Sequence, residues 1–505
     1  MPQAGGLYEG LEERFRTIGH LRHAESMLSW DEAVMMPSGG GKVRADALAA
    51  LAGTVHSLEA APDIADLTEA ALEREDDPWR RANLGQMARV SRRARALPED
   101  LVTALTRASA ASEQAWRTAR AANDFDAVAT GLEGVLALTR ERGQALAEAA
   151  SDGTEPYDAL LDEYEPGLTR ATIDPIFAEL RAVLPDLIDR AISRQAPAEA
   201  PTGPFSIAAQ ADLGRTLMRA MGFDFERGRL DVSHHPFCGG EPDDARITTR
   251  YDGSDFLKSM FAVLHETGHA LYEQGLPTAW RGQPVGVAVG MALHESQSLL
   301  MEMQVCRSAP FLAFAAPIVR QAFGAEATDP TWSADNLARL ATRVERSFIR
   351  VDADEATYPL HIVLRYEIET GLLDGSLAVR DIPDAWDEKM RTYLGIGTAG
   401  NFADGCMQDV HWFAGLIGYF PTYTLGAVTA AQLWRAARAA LPQVEDAIGA
   451  GDFRPLLGWL RGNIHGQGRV MAGSELIARA TGQPLGTEAF LDHLRARYLG
   501  EDGAS

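Results

Sequence analysis

Residues 265–269 read His-Glu-Thr-Gly-His, two imidazoles four positions apart with a carboxylate beside the first. On a helix, positions i and i+4 stand one turn above the other on one face. Two imidazoles in that relation hold a Zn²⁺ ion at about 2.0–2.1 Å each, with room for a third protein ligand and a water. Glu266 is placed to take a proton from that water, so the pattern points to metal-assisted hydrolysis of peptides. The supporting element is legible too. Phe256, Leu257, Met260, Phe261, Leu264 and Leu271 recur at helical spacing and form a stripe that must face a core, with the histidines flanking it. Gly268 lowers helix stability by about 1 kcal/mol relative to alanine, which signals that another element approaches the backbone there.

A third ligand must come from a separate element. The best candidate is Glu295, within His294-Glu295-Ser296-Gln297-Ser298. Ala288, Ala292, Glu295, Leu299 and Met303 share one face of a helical pattern. A carboxylate in such a stripe is expensive unless it is paired or bound to a metal. A salt bridge to an arginine is the plain alternative, and His294, Gln297 and Glu302 stay open as competing ligands.

Most of the chain carries the spacing of helices. Patterns run over about 7–30, 43–60, 64–88, 97–122 and 125–151, then 169–195, 205–221, 254–274, 285–308, 353–370, 382–393, 425–450 and 487–498. Breakers such as Pro37-Ser38-Gly39-Gly40-Gly41 separate them. Strand composition is scarce: 230–233, 247–251 and 347–351 are the candidates. A small sheet beside the metal helix would form one rim of a cleft, where an extended peptide can pair with an edge. The arginines at 80, 81, 89, 92, 93 and 95 read as a solvated helix face balanced by acids.

The 505 residues include 47 basic and 71 acidic side chains, a net charge of −24. That balance argues against nucleic acid or an anionic membrane as partner and favours solubility. Cys238, Cys306 and Cys406 are too scattered for a disulfide framework, which suggests a reducing compartment. With no signal-peptide core and no run of eighteen apolar residues, a cytoplasmic protein is expected. No linker interrupts the middle of the chain. Length alone suggests about three domains, and a single helical body is the alternative.

Six motifs in the second half, in order, resemble the M32 metallocarboxypeptidase family, the thermostable carboxypeptidase Taq type. They are His235-Pro236-Phe237, Asp244 through Thr248, His265 through His269, His294 through Gln297, Ile349-Arg350 through Tyr358, and Gly405 through Trp412. Trp30-Asp31, Met36-Pro37, the stretch Tyr157 through Asp162 and the region Gly473 to Leu485 extend the resemblance over nearly the whole chain. The resemblance implies a mainly α fold, like neurolysin and angiotensin-converting enzyme, with a deep groove and a small β-sheet near the active site. It implies one domain over 1–505, a helical part of about 1–200 covering the groove and a catalytic part of about 201–505. It implies removal of C-terminal residues one at a time with broad side-chain tolerance, by a homodimer holding zinc, with cobalt as an active substitute. Glu266 is then the general base. His411 and Tyr423 are the donors to the oxyanion, with Tyr419 an almost equal competitor. Arg350 leads as receptor for the substrate's free carboxylate, because a guanidinium binds a carboxylate in two-pronged fashion. Arg246 is second, and His235 reads either as a substrate contact or as a structural histidine held in a turn. Structural ion pairs are the plain reading for both arginines, and a core position is the better reading for Trp412. Cys238 departs from the small hydroxylated residue expected after His-Pro-Phe. The competing function classes are an oligopeptide endopeptidase on the same scaffold and a non-catalytic peptide binder.

Overall fold

The computed structural model describes residues 6–150 and 152–501. Its first half is helical, as the alanine- and leucine-rich patterns require. Helices α1 (Leu7–Val34) and α2 (Gly41–Glu59) are joined through the Pro37–Gly40 breaker. The expected 64–88 helix is instead two, α3 (Asp63–Leu72) and α4 (Pro78–Ala96). Asp77 restarts the chain by accepting the Arg80 N–H at 2.9 Å, and Pro78 at the first helical position lacks a donor to satisfy. There follow α5 (Glu99–Ala122), α6 (Asp126–Ala150), α7 (Pro156–Tyr164), α8 (Arg170–Arg194) and α9 (Ile207–Met221). Arg89 and Arg93 do not lie on a solvated face: both turn to Asp162, at 2.7 and 2.9 Å, and tie α4 to α7.

A three-stranded sheet comes next. β1 (Gly228–Val232) runs parallel to the central strand β3 (Asp244–Thr249), and β2 (Phe237–Glu241) pairs antiparallel on its other side. Two of the three expected strands are found. The missed one, β2, contains Gly239-Gly240, a pair with little strand preference of its own. The expected strand at 347–351 is a loop ending in a tight turn, Arg350–Asp352. The side chain of Gln408 satisfies its backbone in place of a neighbouring strand, accepting the Arg350 N–H at 2.8 Å and donating to the Phe348 carbonyl oxygen at 2.8 Å.

Helix α10 (Phe256–Gly275) starts where Asp255 accepts the Leu257 N–H at 3.0 Å. The expected 285–308 helix begins only at α11 (Met291–Leu299) and loosens into a π-helical turn, Leu300–Val305. Before it, Gly286 and Gly290 pass so close to Trp280 and Glu165 that a Cβ would stand 2.1 and 2.4 Å away, so that stretch hugs its neighbours instead of coiling. The remainder is α12 (Ala309–Ala322), α13 (Ala334–Ala341), α14 (Tyr358–Asp374), α15 (Ile382–Leu394), α16 (Pro421–Ala440), α17 (Val444–Gly449), α18 (Arg454–Asn463), α19 (Gly473–Thr481) and α20 (Glu488–Leu494). Helix α14 starts five residues later than the pattern suggested, and Pro442 divides the expected 425–450 helix. One large apolar core runs from Ala119 to Leu499, and a smaller one joins α1 to α4 between Tyr8 and Met87. Residues 119–200 thus share the core of the part carrying the metal motif. No helix among the described residues is long and apolar enough to cross a membrane.

Candidate active site

Helix α10 sets His265 and His269 on one face, their rings 5.0 Å apart. Each ring is turned by its Nδ1. That of His265 donates to Glu302 Oε2 at 3.0 Å, and that of His269 faces the His294 carbonyl oxygen at 3.1 Å. Both Nε2 atoms are thereby directed at Glu295 Oε2, at 3.8 and 3.3 Å. Two ligands about 2.0–2.1 Å from one ion at a tetrahedral angle stand about 3.4 Å apart, so the spacing fits a bound cation. One ligand atom from each of His265, His269 and Glu295 lies within 4.8 Å of the others. The donor set, two imidazoles and a carboxylate, suits a divalent metal ion with a coordination position left open.

The competing ligands have other work. Glu302 is held between two partners, accepting from His265 Nδ1 through Oε2 and from Arg307 Nη2 through Oε1 at 2.6 Å. His294 pairs with Glu273 at 2.9 Å, and Gln297 accepts from His465 Nε2 at 3.0 Å. Two glycines let the elements close on the triad. A Cβ on Gly268 would stand 2.5 Å from the Gln297 carbonyl oxygen, and one on Gly426 would stand 2.7 Å from the Glu295 side chain.

Charge in this site is unevenly shared. Burial works against a charged His265, yet Glu302, Glu295 and Glu266 outweigh it and raise the ring to about 10. His269 is pushed down to about 4, chiefly by burial. Burial raises Glu266 to about 7, with His265 opposing and Glu295 reinforcing the shift. Its Oε2 is buried and has no hydrogen-bond partner. A carboxylate kept bare and close to neutrality is what a general base needs.

A second constellation lies around the 405–423 segment. Asp409 is shared by two arginines: Arg350 Nη2 reaches Oδ1 at 2.9 Å and Arg365 Nη2 reaches Oδ2 at 2.6 Å. The Arg350 guanidinium also lies over the Tyr423 ring, 4.7 Å from its centre. Burial alone would raise Asp409, but the two arginines hold it far below the carboxylate range. His361 beside them is driven well below its ordinary value by burial and by both cations, and stays neutral. Two guanidiniums and one carboxylate leave the cluster with a surplus positive charge. His411 Nε2 stands 3.3 Å from the Tyr423 hydroxyl, and burial lowers the ring to about 4. Burial raises Tyr423 to about 12, with Arg350 opposing, so its hydroxyl keeps its proton. Tyr419 packs edge-on against Tyr423 at 5.3 Å, and both feel the Glu295 charge. Trp412 is a core residue, its Nε1 donating to Glu369 at 2.9 Å.

The remaining candidates sit apart from this constellation. Arg246 is matched one to one with Asp244, at 3.0 and 2.8 Å, and stacks on Trp30. His235 is exposed in the β1–β2 turn and packs against His234, its carbonyl accepting from Thr248. Sequence reasoning missed Arg365, Tyr358, Tyr164 and Glu165. Tyr358 is buried edge-on to Tyr423, and Tyr164 lies edge-on to Tyr419 at 5.0 Å. None carries a metal-ligand spacing, and all depend on chain crossings. Tyr358 and Asp409 had a signal, their places in the Ile349–Tyr358 and Gly405–Trp412 motifs.

The family model described as carboxypeptidase Taq (M32) metallopeptidase matches residues 10–498. Thermostable carboxypeptidase 1 of Thermus thermophilus is 39% identical, over 97% of this chain and 98% of its own. Carboxypeptidase 1 of Bacillus subtilis is 33% identical, over 96% of each. Among solved structures, metallocarboxypeptidase 1 of Trypanosoma cruzi superposes with a TM-score of 0.95 at 41% identity, over 97% of this chain and 99% of that one. The M32 carboxypeptidase of Deinococcus radiodurans gives 0.92 at 36%, over 97% and 98%.

Proposed function

Because the chain belongs to the M32 metallocarboxypeptidase family and is a peptide hydrolase, we propose that it trims peptides from a free C-terminus, with broad side-chain tolerance, using Zn²⁺ held by His265, His269 and Glu295. The observation that carries this reading is the convergence of those three side chains beside the unpartnered Glu266 oxygen. A divalent ion bound there supplies Lewis acidity to the scissile carbonyl and acidifies water. Glu266 takes the proton of the attacking water and returns it to the departing amine. Its position near neutrality supports both transfers. Tyr423 and neutral His411 donate hydrogen bonds to the developing oxyanion, with Tyr419 as the alternative donor.

Arg350 receives the substrate's α-carboxylate. The surplus charge of the Arg350–Asp409–Arg365 cluster supports this, because a bound carboxylate would neutralise it. Arg246, already balanced by Asp244, has less to offer. His235 is left to the periphery of the cleft. Zinc is the metal of this reading, with cobalt as a substitute, and a cytoplasmic homodimer is its setting.

The test is a time course on one peptide with a free or an amidated C-terminus, read by mass spectrometry, together with metal analysis of the purified protein. Stepwise loss of terminal residues from the free peptide alone is expected. Internal cuts in both peptides would replace this reading by an endopeptidase, and zinc without any cut would leave a binder.

A further inference from the structure

The N-terminal half reaches the triad through one side chain that no motif announces. Glu165 follows α7 directly and is only 7% exposed. Its Oε2 accepts the Ala292 backbone N–H at 2.7 Å, and the Leu293 amide also bonds to it. These amides belong to the first turn of α11, where N–H groups have no partner within the helix. The helix cannot cap itself, because Gly290 precedes it and has no side chain. Glycine is required there. A Cβ at Gly290 would stand 2.4 Å from Oε2, and one at Gly473 would stand 2.8 Å from Oε1. The cation facing this carboxylate, Arg469, has its Nε on the Ala288 carbonyl at 2.7 Å.

A carboxylate is thus buried in a glycine cradle against the end of a nine-residue helix. One turn further on, that helix presents the His294 carbonyl to His269 and the Glu295 carboxylate to both histidines. We propose that Glu165 is a positioning residue for the metal centre: by holding the first turn of α11, it sets the height and rotation at which Glu295 meets His265 and His269. The preceding residue reinforces the arrangement, since Tyr164 packs on the Tyr419 ring. The end of α7 therefore touches both the ligand helix and the tyrosine cluster. This inference rests on the triad being the metal site.

The experiment measures the zinc dissociation constant of metal-free protein by competition with a chromophoric chelator, alongside its melting temperature. Glu165→Ala is expected to weaken zinc by about 10- to 100-fold, the range for residues that orient metal ligands. Glu165→Gln, which keeps one acceptor oxygen, should lose less but still several-fold. Leu132→Ala opens a cavity in the core beneath α6, an element that supplies no group to the triad, and serves as the control for lost stability. It should melt earlier with its zinc constant unchanged. Equal zinc affinity in wild type and Glu165→Gln would overturn the proposal even if the alanine variant fails to fold. So would a loss in Leu132→Ala matching that in Glu165→Ala. Wild-type protein that binds no zinc would sink the metal reading itself, a result distinct from any difference between variants.

Discussion

Glu266 and Arg350 carry opposite electrostatic problems, and their surroundings support the role proposed for each. Glu266 is a bare carboxylate in a dry place, raised to about 7 by burial. Replacing it by glutamine keeps shape and both histidines but removes the proton acceptor. Glu266→Gln is expected to lower kcat by about 10²- to 10⁴-fold, the span of general base catalysis, with metal content by elemental analysis unchanged. A variant retaining most of its turnover would defeat the assignment. Arg350 is one of two cations on a single carboxylate, and burial does not keep Asp409 from holding it charged. Arg350→Met leaves Asp409 paired with Arg365, so the fold keeps a balanced pair. Cleavage of free-ended peptides should fall about 10- to 100-fold, the worth of charge-assisted hydrogen bonds. The preference for free over amidated ends should vanish with it. If both peptides slowed equally, the carboxylate would be bound elsewhere.

At the scale of elements, the site is the contact of α10 with α11, backed by α16. Gly268 is the place where that contact is tightest. Its substitution by alanine improves intrinsic helix propensity by about 1 kcal/mol. Yet the new Cβ would meet the Gln297 carbonyl at 2.5 Å and Ser298 Cα at 2.6 Å, both rigid backbone atoms. Gly268→Ala is therefore expected to lower the melting temperature and to weaken zinc binding, because the helices must separate by a distance the ligands feel. Calorimetry and a chelator titration check the two effects, and a variant as stable and as tight as wild type would refute the argument. The close approach was legible in the sequence, since a glycine inside a strong helical pattern asks for a reason. The partner that approaches, the Gln297–Ser298 backbone, was not.

Across the whole molecule, buried carboxylates join distant parts of the chain. Glu369 on α14 accepts from Tyr157 at 2.6 Å, Trp412 at 2.9 Å and the Gly418 amide at 2.8 Å, linking α7 to the segment that bears His411. Burial raises it from 4.5 to about 7 in spite of the three donors. Between those values the folded protein holds a proton that the unfolded chain has released. The stability contributed by this group is therefore complete below pH 4.5 and is lost as pH rises through about 7. At about 1.4 kcal/mol per pKa unit, the decline amounts to at most about 3–4 kcal/mol. Glu369→Gln does not titrate. Urea unfolding of both proteins should show wild type losing ground against the variant as pH rises through this window, and parallel curves would contradict it.

The sequence by itself determined the local features: helices from apolar periodicity, the paired imidazoles from a four-residue spacing, and Glu295 from a carboxylate misplaced in an apolar stripe. These rest on interactions within a turn or two, and so survive being read along the chain. What failed was what neighbours override. The 347–351 strand lost its backbone bonding to Gln408, and the 285–308 helix yielded its first turn to contacts at Gly286 and Gly290. Only the tertiary structure decided that Asp409 is shared by two arginines, that Glu302 turns His265, and that Glu165 caps the helix carrying Glu295. Desolvation and charge pairing act through space, and residues far apart along the chain have no spacing from which their meeting can be read.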